Sequence, residues 1–138
     1  MKRVAITGAG TVNALAHHVP GTLAAFRNAR TAIGPLNIPG VEGLTIRVAA
    51  QVQEFRPDEH FDRADVGRLD RFAQFAAVAA REALLGAAFP DSAELRRATG
   101  VIIGTAGGGL TTSDEVARGL YAEGRERTHP LAVPKLMH

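Results

Sequence analysis

Glycine and proline divide the apolar pattern of this chain into short segments, each with its own period. Val4 to Thr7 is a β-branched run that stops at Gly8-Ala9-Gly10, the pattern of a buried strand entering a tight turn. A helix is predicted from Pro20 to Ala29, because proline suits a first turn and Leu23, Phe26 and Arg27 fall at helical spacing. Ile33 to Gly43 holds Pro35, Pro39 and three glycines and reads as a loop. Thr45 to Phe55 alternates as an edge strand does, with Ile46, Val48, Ala50 and Val52 on one face and Arg47, Gln51 and Gln53 on the other.

Leu69 to Phe89 is strongly helix-forming and apolar almost all round, a pattern that requires cover on every side. A chain of 138 residues has little surface to spare for covering a central helix. This points to a second subunit or to the rest of a longer chain. Asp91 and Glu94 form a capping box for a short helix through Arg97, stopped by Gly100. A second buried strand, Val101 to Gly104, runs into the glycine-rich turn Thr105 to Gly109, and Thr112 with Glu115 offers a capping box for a helix ending near Gly124. Two units of strand, glycine turn and helix predict an α/β fold with a parallel sheet. The final fourteen residues, through Pro134-Lys135-Leu136-Met137-His138, carry no terminating signal.

Composition narrows the function. With 46% hydrophobic and 22% charged residues in 14.5 kDa, the chain has the make-up of one soluble globular domain. Its net charge is only +2, and in Arg56 to Arg71 five acids are interleaved with four arginines, so neither nucleic acid nor a membrane surface is an expected partner. The absence of cysteine excludes a disulfide, a thiolate metal site and a cysteine nucleophile within these residues. The opening Val4 to Thr7 run is too short for a signal peptide, and a cytoplasmic location is expected.

Two glycine motifs invite ligand readings. Gly8-Ala9-Gly10-Thr11-Val12-Asn13 approaches the dinucleotide fingerprint, but Asn13 replaces the third glycine and the first carboxylate downstream is Glu42. Arg27 and Arg30 leave open an NADP-binding oxidoreductase module. Gly104 to Thr111 has the spacing of a phosphate-binding loop except that Leu110 stands in place of its lysine, and a structural turn is the better reading. The five histidines, His17, His18, His60, His129 and His138, show no metal-ligand spacing. Ser92 and Ser113 sit in cap contexts, so no catalytic constellation is complete and no metal site is expected.

Taken together, Lys2 to Gly10, Gly34-Pro35, Arg68 to Phe75 with Arg81 to Leu84, Gly100 to Thr105 with Gly107 to Leu110, and Pro130 to Pro134 resemble the opening of the β-ketoacyl-acyl-carrier-protein synthases of the synthase II type. The resemblance covers 1–138 but only the first part of a family member, which makes the chain a partial N-terminal domain. It implies a thiolase-like α/β fold with αβαβα layers, of which this is the first part of the N-terminal half. It further implies a homodimer or heterodimer, acyl carrier protein bearing acyl or malonyl groups as partner, no bound cofactor, and condensation through a cysteine assisted by two histidines. Those three residues fall beyond the position matching His138, so no catalytic residue is carried over and the chain alone is expected to be inactive. A non-catalytic partner resembling a chain-length factor is the alternative. The positions that match the family's acyl-pocket residues are Gly107, Leu131 and Ala132. Either their small side chains widen the pocket, or neighbouring residues refill it.

Overall fold

The computed structural model of the chain describes residues 3–137. In chain order its elements are α1 (Val19–Arg27), β1 (Ile33–Pro35), β2 (Val48–Ala50), α2 (Arg63–Arg68), α3 (Arg71–Gly86), α4 (Ala93–Ala98), α5 (Leu110–Tyr121) and α6 (Ala132–Leu136), with 3-10 turns at Val41–Gly43 and Pro57–Glu59. They fall into two compact units. One comprises Met1–Arg56 with Val78–Ala88, the other Pro57–Ala77 with Phe89–His138.

In the first unit, α1 begins where expected, with Pro20 in its first turn, and its N-cap is His18, whose Nδ1 accepts from the Gly21 amide at 3.0 Å. The segment read as a loop contains β1, which pairs antiparallel with β2 in the register Ile33↔Ala50, Gly34↔Ala49 and Pro35↔Val48. The Leu36 amide extends the pairing to the Arg47 carbonyl at 2.8 Å. A strand that admits Pro35 is one whose outer edge needs no donor. The long edge strand predicted for Thr45 to Phe55 is thus reduced to three residues, and Ile46 and Val48 on its apolar face are exposed.

The second unit is helical. Ser92, and not Asp91, caps α4, its Oγ accepting from the Leu95 amide at 3.1 Å, while Asp91 forms an ion pair with Arg96. α5 runs from Leu110, with Gly109 as N-cap, so Thr112 lies inside the helix and not at its cap. Its C-terminal end is closed by Gly124, whose positive φ of 66° lets the Arg125 amide return to the Gly119 carbonyl at 2.9 Å.

One sequence expectation is corrected and another is met. The runs read as buried parallel strands, Val4 to Thr7 and Val101 to Gly104, have no ladder partner among the described residues, with Ile6 92% and Ile102 98% exposed. A strand exists only through a neighbour, and β1 with β2 forms the sole sheet of the described residues. α3, read as an apolar helix that needs cover from a second subunit or a longer chain, buries only Gln74 and leaves Leu84 and Leu85 exposed, in line with that reading. The buried apolar side chains of the described residues are just Ala25, Phe55, Phe61 and Ala132. The apolar surface of α3 and of the two runs exceeds what the chain itself covers. No helix of the described residues is long and apolar enough to cross a membrane.

Candidate functional site

Both glycine turns are held by a carboxylate from elsewhere in the chain. In the first unit, Gly8 and Gly10 lie against the backbone of α3. A methyl group added to Gly10 would stand 1.8 Å from the Ala79 carbonyl oxygen, and one added to Gly8 would stand 2.1 Å from that of Ala83. No helix follows Gly10 directly, since α1 starts at Val19. Instead Glu82 accepts from the Thr11 amide at 2.9 Å through Oε2 and from the Val19 amide at 2.7 Å through Oε1. Asn13 closes the intervening turn, its Oδ1 accepting from the Leu15 amide at 2.8 Å and its Nδ2 donating to Thr22 Oγ1 at 2.8 Å. The Thr11 amide of this turn is therefore held by a carboxylate of the protein's own, no helix N-terminus follows the turn directly, and Gly8 and Gly10 serve close packing against α3.

The second turn is filled in the same manner. The Gly108 amide donates to Thr105 Oγ1 at 3.1 Å, the Gly109 amide to the Leu136 carbonyl at 3.3 Å and the Leu110 amide to the Gly108 carbonyl at 2.9 Å. At the start of α5, Asp70 Oδ2 accepts from the Thr112 amide at 2.7 Å and from Thr112 Oγ1 at 2.6 Å. Asp70 Oδ1 also accepts from the Phe72 amide at 3.3 Å, so one carboxylate, 3% exposed, caps α3 and α5 together. The Gly108, Gly109 and Leu110 amides are thus engaged within the protein, which fits a structural turn.

Of the three positions expected at an acyl pocket, Ala132 is 6% exposed at the start of α6 and Leu131, the α6 N-cap, is half-buried. Ala132 lines a cavity of about 380 Å³ together with Thr112, Glu115, Arg127, His129 and Lys135. His129 is fixed as an acceptor there, its Nδ1 receiving the Leu131 amide at 3.1 Å. Gly107 and Leu131 do not line this cavity. Gly107 is exposed, and a methyl group on it would stand 2.8 Å from Cδ1 of Leu110, whose side chain takes up the space. Sequence reasoning missed Asp70, Glu82 and Leu110 as structural contacts; each carboxylate stands next to an arginine, Arg71 and Arg81, and so reads locally as part of a solvated charged face. No group of three His, Cys, Asp or Glu able to hold a metal occurs among the described residues. Lys2 and His138 lie outside them.

A family model described as the N-terminal domain of β-ketoacyl synthase matches residues 1–138. The chain belongs to the β-ketoacyl synthase family. The chain is 31% identical over 136 residues to 3-oxoacyl-[acyl-carrier-protein] synthase 2 of Staphylococcus aureus (strain COL), covering 99% of itself and 33% of that protein. It is 32% identical to nodulation protein E of Rhizobium sp. (strain N33), with 99% and 34% covered. The chain thus spans about a third of the length of these relatives.

Its fold is thiolase-like α/β, matching a β-ketoacyl synthase from Burkholderia phymatum STM815 with a TM-score of 0.78 and 24% identity over 99% of this chain and 34% of that one. The ishigamide ketosynthase/chain length factor matches with a TM-score of 0.75 and 22% identity, over 96% and 33%.

Proposed function

We propose that this chain is the N-terminal part of a 3-oxoacyl-ACP synthase that condenses an acyl thioester with malonyl-ACP in fatty-acid or polyketide-like biosynthesis in the cytoplasm, working as a dimer. The observation that carries the reading is the family match over residues 1–138. It is supported by the two glycine turns, whose glycines pack against backbone from other segments and whose neighbouring amides are held by Glu82 and Asp70. Acyl transfer of this kind needs a thiolate to hold the acyl group while malonyl loses carbon dioxide and its carbanion attacks the thioester. The chain has no cysteine, so alone it makes no acyl-enzyme.

In this reading Gly107, Leu131 and Ala132 contribute to the acyl site. Gly107 shifts control of pocket width to Leu110, whose side chain already stands where a residue-107 side chain would be. A chain-length-factor-like partner subunit is the second reading, suggested by the likeness to the ishigamide ketosynthase/chain length factor.

The test is formation of 3-oxoacyl-ACP from acyl-ACP and malonyl-ACP by the 138-residue chain and by the natural polypeptide that carries it, with the intact mass of the latter. Product from the natural polypeptide alone is expected. Product only with a second, cysteine-bearing subunit would establish the partner reading, and product from the 138-residue chain by itself would overturn the cysteine-dependent mechanism.

A further inference from the structure

Asp70 lies 42 residues before Thr112, yet its carboxylate is the point where three segments of the second unit meet. It caps α3 through the Phe72 amide and α5 through both donors of Thr112. The third segment arrives at Gly109, where an added methyl group would stand 3.2 Å from Asp70 Oδ2, 2.5 Å from the Lys135 carbonyl oxygen and 2.9 Å from Leu136 Cα. The Gly109 amide bonds the Leu136 carbonyl at 3.3 Å, which closes the joint on the end of α6. A buried carboxylate with three donors on it is well satisfied and strongly directional. Losing it leaves the two buried donors of Thr112 and the part-buried Phe72 amide without this acceptor.

The joint lies between the two segments that carry the acyl-site positions. Gly107 stands two residues before Gly109 in the same turn, and Leu131 and Ala132 stand at the start of α6, whose last residue is Leu136. We propose that Asp70 is the positioning residue of the acyl site: by holding Thr112 at the start of α5, beside Gly109, it fixes the Gly107–Leu110 turn relative to α6. Asp70 touches no substrate in this scheme and acts through Thr112 and Gly109. The selectivity half of the proposal rests on the condensing reading above, and the positioning half rests on geometry alone.

The test uses the full natural polypeptide and compares wild type with Asp70→Asn, Thr112→Val and Thr112→Ser. Asparagine presents an NH2 group to donors that now face an oxygen, valine deletes one donor, and serine restores it. The first readout is amide hydrogen exchange in 105–112 and 132–137, with α1 as internal reference. Asp70→Asn and Thr112→Val are expected to speed exchange roughly tenfold or more in both segments and not in α1, and Thr112→Ser to restore protection.

Faster exchange confined to 110–113 would show a local helix cap and overturn the positioning role. The second readout is the ratio of kcat/KM for long and medium acyl chains, expected to move several-fold in the same two variants and to return with serine. An unmoved ratio alongside loosened 132–137 would overturn the selectivity half. Wild type without condensing activity would overturn the functional reading and with it the selectivity half, while the exchange data still decide the joint.

Discussion

At Gly8, Gly10 and Gly109 the space a side chain would need is already held by backbone from another segment. Gly109 has an ordinary φ of −77°, so its restriction is one of contact and not of conformation. Gly10→Ala is therefore expected to cost about 3 kcal/mol, because neither the turn nor the α3 carbonyls can yield without breaking hydrogen bonds. Gly86→Ala, at the end of α3 with open space around it, is expected to gain roughly 0.5–1 kcal/mol from helix propensity. Thermal denaturation of the two variants in the full natural polypeptide checks both signs, and equal shifts would refute the packing argument. The glycines themselves were legible as a tight turn. What they are small against was not, because Ala79 and Ala83 sit some 70 residues away in the chain and have side chains too plain to announce a contact.

At the scale of elements, the helices were readable and their ends were not. α1, α3, α4 and α5 all overlap helices predicted from spacing and capping signals, which are local properties, though only α3 lies wholly inside its predicted bounds. The caps went to other residues: Ser92 in place of Asp91, and Asp70 in place of Thr112 acting for itself. A cap from 42 positions upstream leaves no local trace. α1 is tied likewise by Glu82, and Glu82→Ala is expected to lower stability by about 1–3 kcal/mol and to speed exchange at the Thr11 and Val19 amides, with Glu82→Gln intermediate since one oxygen remains. Exchange unchanged at both amides would contradict it. Ala29 and Ala88 follow α1 and α3 with φ of 47°, a region that disfavours a β-carbon. Ala29→Gly and Ala88→Gly are each expected to raise the melting temperature by relieving roughly 1 kcal/mol.

For the whole chain, the α/β class and the family were legible, while the sheet was not. Val4 to Thr7 and Val101 to Gly104 have the composition of central strands, but pairing is a relation between distant segments, and composition cannot supply the neighbour. The resemblance filled that gap with a fold about three times the length of this chain. Exposed Ile6 and Ile102 give the 138 residues on their own a specific behaviour: binding of an apolar dye and concentration-dependent association, each reduced by Ile6→Lys or Ile102→Lys. Dye fluorescence and sedimentation at several concentrations measure this, and a monomer that binds no dye would show the runs to be covered from within.

The gap between the Gly8–Gly10 turn and α3, narrower than a methyl group, also acts as a detent. Moving α3 along its axis by one residue, about 1.5 Å, would put side-chain carbons where the glycines now meet the Ala79 and Ala83 oxygens. The same shift would pull Glu82 off the Thr11 and Val19 amides that it holds at 2.9 and 2.7 Å. The helix can swing about this point or let go of it, but it cannot slip. Rearrangement in this unit is therefore a matter of discrete steps, engaged or released, with no gradual drift between them.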